Sequence, residues 1–332
     1  MVSTRTTTWL QQRWQGRSVP VLALVPLSWI YGALVGLRRQ LYHLGVLRRH
    51  RLAVPVIIVG NVTVGGTGKT PLVIWLSRFL LNAGYRPGII TRGYGGQATA
   101  WPQAVTPDSD PAQVGDEPVL LARGSGCPVV AGPDRIAAAG ALLAAHHCDV
   151  LISDDGLQHL HLARDIEIVV IDGQRRFGNG LLLPAGPLRE PAARAGLADL
   201  RVTQGSARDG EHGMELRAGH LRNLADGRVR ALPEFAGRTV HAVAGIGNPA
   251  RFFAGLRAAG LVVQEHAFPD HHRFRAQDLE FGDGAPVIMT AKDAVKCERF
   301  ARPEYWCLEA AAFPDAGFGP SVLRLLKEKS GG

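Results

Sequence analysis

Val56-Ile57-Ile58-Val59-Gly60-Asn61-Val62-Thr63-Val64-Gly65-Gly66-Thr67-Gly68-Lys69-Thr70 is the stretch on which the fold turns. Its first four residues make an unbroken apolar run after Pro55, which predicts a buried strand. The glycines that follow let successive backbone N–H groups turn inward around an anion. Pro71 to Ala83 then repeats Leu72, Leu76, Phe79 and Leu80 at helical spacing until Gly84 stops the helix. Strand, glycine loop, Gly-Lys-Thr and helix together predict a phosphate-binding loop, with the helix N-terminus adding partial positive charge. Thr63, Val64, Gly65, Gly66, Thr67, Gly68, Lys69 and Thr70 are the expected nucleotide-binding residues. Lys69 is placed to reach the β- and γ-phosphates and Thr70 to ligate Mg²⁺. Thr63 stands where the strict pattern has its first glycine, but Gly65, Gly66 and Gly68 remain to form the anion cradle.

Outward from the loop, Asp149-Val150-Leu151-Ile152-Ser153 reads as a second buried strand ending at Asp154-Asp155. An apolar strand that ends in an acid beside a phosphate loop holds a carboxylate near Mg²⁺, so Asp154 joins Thr70 as an expected metal ligand. Gln158, His159 and His161 follow at once, where ligands of parallel α/β sheets bind. Ile166 to Ile171 is a further parallel strand, and Asp172 at its end reads as a turn former or helix cap. Gly115-Asp116-Glu117-Pro118 puts two acids in a turn before a helix-like run; they read equally as N-caps and as a proton acceptor or metal ligands. Arg189 and Glu190 lie in the proline-rich loop Pro184–Pro191, where Arg189 could clamp phosphate or be solvated. Phe268-Pro269-Asp270-His271-His272 contains an Asp-His pair of the kind that orients a base.

Two look-alikes carry less. Gly245-Ile246-Gly247-Asn248-Pro249 with Glu265 imitates a dinucleotide fingerprint but reads as readily as a capped helix start with proline in the first turn. Thr290-Ala291-Lys292-Asp293 resembles a guanine-reading motif, yet its Lys and Asp are adjacent, so GTP specificity is unsupported.

Composition sets the class. The chain has 332 residues, 46% hydrophobic and 20% charged, which suits folded globular domains and excludes disorder. Its four cysteines form no C-x-x-C pair, so reduced thiols in a cytosolic setting are expected. The net charge of +8 is confined to residues 1–54, which hold eight arginines (Arg5, Arg13, Arg17, Arg38, Arg39, Arg48, Arg49 and Arg51), no lysine and no acid. Taking those eight from 37 leaves 29 basic groups against 29 acidic ones, so the remaining chain has no net attraction for nucleic acid. Within the basic block Val19–Leu37 is uncharged and contains Trp29, Tyr31, Pro20 and Pro26. It is borderline in length for a membrane span, and a signal peptide would export the nucleotide site. A helix lying in the membrane interface fits best, continued by Leu37, Leu41 and Leu44, with arginines reaching for anionic headgroups.

Taken together, the motifs resemble one family, the bacterial tetraacyldisaccharide 4'-kinases of lipid A synthesis. The resemblance rests on the 60–71 loop, Thr91-Arg92-Gly93-Tyr94-Gly95, Gly115–Pro118 and Asp154-Asp155-Gly156-Leu157-Gln158-His159. It continues through Leu183–Pro191, Gly245–Pro249, Phe268–His271 and Thr290–Asp293; Leu157 stands where the family often has Phe. It implies ATP and Mg²⁺ as cofactors and phosphorylation of the 4'-hydroxyl of a tetraacylated glucosamine disaccharide 1-phosphate. It implies Asp116 as the base paired with His271, Asp154 and Asp155 in the metal–phosphate region, and N-terminal helices docked on the cytoplasmic face of the inner membrane. Lys69 completes the catalytic set; Glu117, Asp155, Gln158, His159, Arg189 and Glu190 are expected at the substrate or just behind it. Expected partners are the lipid A disaccharide precursor and the membrane surface, with no nucleic acid and no protein partner. Two rivals remain, a membrane-docked ATPase acting as a protein-targeting switch and a nucleic-acid-stimulated ATPase.

The expected architecture is α/β: a P-loop NTPase-like parallel sheet with helices on both faces, a smaller C-terminal α/β lobe and an N-terminal membrane-associated helical segment. Boundaries are expected at 1–54 (N-terminal helices), 55–212 (kinase domain), 213–237 (two-stranded linker) and 238–332 (C-terminal lobe). His271 is expected to reach Asp116 only when the lobes close.

Overall fold

The computed structural model describes Trp14 and residues 19–330; Arg5, Arg13 and Arg17 of the basic block lie outside the described residues. Thirteen strands form one sheet. The first seven are β1 (Val56–Gly60), β2 (Pro87–Thr91), β3 (Gln103–Val105), β4 (Val129–Ala131), β5 (Val150–Asp154), β6 (Ile166–Asp172) and β7 (Leu200–Gln204). The remainder are β8 (His212–Asn223), β9 (Val229–Ala231), β10 (Thr239–Ala244), β11 (Val262–Ala267), β12 (Val287–Thr290) and β13 (Tyr305–Pro314). Their order is β11-β10-β12-β13-β8-β7-β6-β1-β5-β2-β4-β3, with β9 paired to β8. All neighbours are parallel except β3/β4, β8/β9 and β8/β13.

The phosphate-loop half is built as the apolar runs dictate. Alternate side chains of β1 go to opposite faces: Ile57 and Val59 pack with Leu72, Val73, Leu76 and Leu80 of α2 (Lys69–Asn82), whereas Val56 and Ile58 pack with Ala138, Ala139 and Leu142 across the sheet. Burial of both faces is why these strands read as continuous apolar runs. The nine pairings between the long strands β8 and β13 stitch this half to the C-terminal strands. Within the stretch 213–237 the two strands are the β8/β9 pair, turning at Gly227 with φ +74. A two-stranded ribbon alone would leave an open edge; β8 closes its own against β7 and β13.

The N-terminal segment forms α1 (Val25–His43), ending where Gly45 takes φ +75, so the expected continuation is helical at Leu37 and Leu41 and stops just before Leu44. Among the described residues no helix is long and apolar enough to cross a membrane. Three polar groups of α1 face the body of the protein. Ser28 is buried and donates to the Leu182 carbonyl, Tyr31 donates to the Arg189 carbonyl, and Arg39 approaches Glu190. Leu27, Trp29, Ile30, Leu34 and Leu37 face outward and are each more than half exposed. This is the reverse of a helix buried on a soluble core.

The remaining helices that position the site are α3 (Asp116–Ser125), α4 (Arg135–Ala145), α5 (Pro249–Ala258), α6 (Ala291–Cys297) and α7 (Phe318–Ser330).

Candidate active site

Gly68, with φ +87, turns the chain from the loop into α2, a backbone conformation that favours glycine. The next residue, Lys69, directs its ammonium at Asn61 Oδ1 (3.0 Å) and Asp155 Oδ1 (3.3 Å). Thr63 and Val64 wall the loop: Thr63 bridges to Leu188, and the Val64 N–H donates to the Pro187 carbonyl at 2.8 Å. The N–H groups that remain for an anion therefore belong to the segment from Gly65 to Thr70. Asp172, read as a turn former, accepts from the N–H groups of Gln174 and Arg175 and also grips the Arg175 guanidinium. Arg175 in turn donates to the Gly66 carbonyl at 2.6 Å. Behind the loop, β1 ends at Gly60 because the Asp154–Leu157 turn crosses there; a Cβ on Gly60 would stand 2.6 Å from Leu157 Cβ.

Asp154 and Asp155 are adjacent and opposite in character. Asp155, in the left-handed region with φ +49, pairs with Lys69 and with Arg189 at 3.2 Å. Burial would raise its carboxyl, but the two cations outweigh it and pull it down to about 2. Asp154 is pushed up to about 7, first by burial and then by the charges of Glu117 and Asp155, which Lys69 and Arg135 only partly offset. Its Oδ1, and Thr67 Oγ1 in the loop, are buried with no hydrogen-bond partner among the described residues. Such orphans in a native fold call for a missing cation or water.

Arg189 and Glu190 resolve what their loop leaves open in sequence. Arg189 is tied to Asp155, and buried Glu190 accepts from Gln158 Nε2 at 2.8 Å, with Arg194 at 3.5 Å. Gln158 also donates to the Asn61 carbonyl, fastening the base of the phosphate loop. His159 lies nearby and is lowered to about 4 by burial and by Arg135, so it is a neutral ring with Nε2 unpartnered.

The second half of the site joins the start of α3 to a turn and helix α6 of the C-terminal part. Asp116 opens α3 after Gly115, which has φ +97, and its Oδ1 accepts the Glu117 N–H at 2.8 Å. Its Oδ2 lies 3.3 Å from His271 Nδ1 and 3.8 Å from Lys296 Nζ. Burial would raise this carboxyl; the His271 hydrogen bond and the charges of Lys292 and Lys296 outweigh burial and hold it below the usual carboxylate range. His271 occupies a tight turn with φ +60, where Asp270 Oδ1 accepts its N–H and Tyr94 covers its ring with centroids 4.7 Å apart. Asp116 and His271 are thus already together, contrary to the expectation that they meet only on closure. Helices α3 and α6 bring them there, fastened by a Lys292–Glu117 contact of 3.1 Å and a two-bonded Arg123–Glu298 pair.

The glycine turn after β10 supplies the link between the two halves. The Gly245 N–H donates to buried Asp293, and Gly247 lies against the phosphate loop, where an added Cβ would be 3.2 Å from the Gly66 nitrogen. The dinucleotide look-alike is therefore a packing element against the phosphate loop.

Three residues of this site escape a reading of the sequence alone. Lys292 lies in the guanine-reader look-alike Thr290–Asp293, which gives it no role, and Lys296 and Arg135 sit in no motif. Arg135 did carry a signal: it is a cation in the first turn of α4, where the helix dipole opposes it. Buried and bonded to the Gly132 carbonyl, it pays for that position with a guanidinium lowered to about 10, mainly by burial.

Comparison with known proteins agrees across nearly the whole chain. The family model for LpxK, tetraacyldisaccharide-1-P 4'-kinase, matches residues 21–327. A tetraacyldisaccharide 4'-kinase of Nitrosococcus oceani is 55% identical over 305 residues, spanning 92% of this chain and 90% of the relative. One of Methylobacillus flagellatus is 50% identical over 321 residues, 96% of each. The crystal structure of LpxK from Aquifex aeolicus in complex with ATP superposes with a TM-score of 0.78 at 29% identity, covering 93% of this chain and all of that one.

Proposed function

The chain belongs to the tetraacyldisaccharide 4'-kinase family, and from that premise we propose which of its residues carry the phosphoryl transfer. The enzyme uses ATP to phosphorylate the 4'-hydroxyl of a tetraacylated glucosamine disaccharide 1-phosphate. In the proposed mechanism Asp116 accepts the proton of that hydroxyl while the sugar oxygen bonds to the γ-phosphorus. The bridging β–γ P–O bond breaks and its electron pair leaves on ADP. The observation that carries this assignment is Asp116 itself, buried yet held ionised by His271, Lys292 and Lys296.

Lys69 holds the transferring phosphate, and its present contacts with Asn61 and Asp155 keep the ammonium at the mouth of the loop. Asp154 and Thr70 would hold Mg²⁺, which the orphaned Asp154 Oδ1 and the acid-crowded pocket suit. Bound there, the ion would offset charge on the phosphate oxygens. Gln158, Arg189 and Glu190 set the shape of the loop, and Glu117 and His159 border the acceptor side. Residues 55–212 and 238–332 act as the two working lobes, joined through 213–237, with 1–54 as the membrane-docking part.

The outward apolar face of α1 supports docking as a monotopic protein on the cytoplasmic face of the inner membrane, where ATP is available. The acyl chains of the acceptor stay in the bilayer, and α1 stands beside the loops of Gln158 and Arg189. The test uses labelled ATP with the lipid A precursor in mixed vesicles. Label should appear in the lipid with wild type and be lost with Asp116→Ala, while nucleotide binding survives. Undiminished turnover in Asp116→Ala removes it as the base. Replacing Trp29 and Leu34 by Glu should release the protein from vesicles; unchanged co-sedimentation rules out α1 as the anchor.

A further inference from the structure

Lys292 enters the mechanism above only through its charge near Asp116, and its side chain is largely buried at the centre of the charged cluster between α3 and α6. Its ammonium lies 3.1 Å from Glu117 Oε1, 3.4 Å from Asp270 Oδ1 and 3.3 Å from His271 Nε2. An ammonium has donors only, so the ring nitrogen it faces must present a lone pair. On the other side of the same ring, Nδ1 faces an ionised carboxylate, Asp116 Oδ2, at 3.3 Å and must carry the proton. The opposite tautomer would set two donors against each other at Nε2 and a lone pair against a carboxylate oxygen at Nδ1. Turning the ring over would put carbons at both contacts.

We infer that Lys292 is a positioning residue that fixes His271 as the neutral Nδ1–H tautomer, leaving Asp116 as the one acceptor for the sugar proton. The groups facing the imidazole are Asp116 from α3, Asp270 from its own turn, Lys292 from α6 and the Tyr94 ring; Glu117 and Lys296 stand one contact further, on Lys292 and on Asp116. The ammonium at Nε2 is nearer than the Asp270 carboxylate at 3.9 Å, so a proton arriving at Nε2 meets a like charge first. A histidine free at that nitrogen would be a second base. With Lys292 in place His271 can only donate, and the dyad runs in one direction. This rests on Asp116 being the base, but the tautomer itself does not.

The experiment is a long-range ¹H–¹⁵N spectrum of the full-length, histidine-labelled protein in detergent micelles, with His271 assigned by its loss in His271→Gln. Wild type should show a protonated Nδ1 and a bare Nε2 at pH 7. Lys292→Met should mix the tautomers or protonate the ring. It should also lower kcat about tenfold with KM for ATP within about twofold, and move the acid limb of kcat/KM upward. Lys292→Arg, which keeps a donor cation, should restore the tautomer and most of the turnover. A wild-type ring protonated at Nε2 overturns the inference. So does a Lys292→Met protein whose tautomer and acid limb are unchanged, even if turnover falls, because that loss is structural. Should Lys292→Met fail to fold, the wild-type spectrum and Lys292→Arg still decide. Wild-type turnover in Asp116→Asn would sink the base assignment while leaving the tautomer result standing, so the two failures are distinct.

Discussion

Asp154 and Asp116 are almost equally buried, 1% and 4% exposed, yet the protein treats them in opposite ways. Asp154, beside the phosphate loop, is crowded by Glu117 and Asp155 and is pushed up to about 7 with an oxygen left unpartnered. Asp116, at the start of α3, is met by His271, Lys292 and Lys296 and held below its ordinary range. Desolvation is the leading influence on both, so burial alone does not decide charge; the neighbours do. In the proposed mechanism the first side takes a cation and the second a proton.

The sharpest way to break this contrast is through kinetics, because the two sides should fail differently. Lys69→Ala should cost on the order of 10³-fold or more in kcat/KM, weakening ATP binding and turnover together, since in the proposed mechanism its ammonium serves the phosphates in both ground and transition states. Asp116→Ala should lower kcat by about 10²–10⁴-fold while the Kd for ATP stays within about twofold. Equilibrium nucleotide binding beside single-turnover transfer to the lipid measures both. A large loss of ATP affinity in Asp116→Ala would erase the distinction.

Stability against pH tests the same contrast without catalysis. The Asp154 carboxyl is raised in the folded state, so it is protonated and harmless below about 4, and destabilisation grows as pH rises toward 7. Asp154→Asn should therefore raise Tm at pH 8 without divalent metal by roughly 2 °C or more, and leave it unchanged at pH 4. For Asp116 the sign reverses. Its lowered carboxyl contributes stability above the ordinary carboxylate range, lost as pH falls through its folded value, so Asp116→Asn should lower Tm at pH 8. Melting curves at the two pH values read both variants, and a fall in Tm for Asp154→Asn at pH 8 would contradict the orphaned-carboxylate picture.

What could be read from sequence follows the same division. The phosphate-loop half is local: β1, the loop and α2 are contiguous, and Asp154-Asp155 ends a strand paired directly with β1. Periodicity and glycine chemistry suffice there. The base side is not local, since Asp116 and His271 are 155 residues apart and Lys292 meets Glu117 across 175. No spacing rule predicts that β13 pairs with β8 and so brings α6 against α3. Resemblance to a family named the Asp-His pair; it also covers Thr290–Asp293, but nothing in a linear reading gives Lys292 a role beside that pair. The direction of α1 was also out of reach: its composition is legible, but which face it turns outward depends on Ser28 and Tyr31 finding carbonyls 154 and 158 residues away.

The smallest expected effect concerns what keeps the base side assembled. Arg123 near the end of α3 makes two hydrogen bonds to Glu298, at 2.7 and 2.8 Å, just after α6, and Arg222 of β8 adds a third at 3.4 Å. Both partners are about a quarter exposed, 28% and 26%, so solvent screens the pair and its worth falls to about 0.2–1 kcal/mol. Asp116 lies at the far end of the same helix and is held there by its own partners, His271 and Lys296. Loosening the Arg123 end should therefore tilt α3 slightly and not release it. Arg123→Ala is expected to lower kcat about two- to fivefold with ATP affinity unchanged, and a double-mutant cycle with Glu298→Ala should return a coupling of about 0.5–1 kcal/mol in stability. A loss as large as that of Asp116→Ala would mean that the fit of α3 against α6, more than the charges around Asp116, prepares the base.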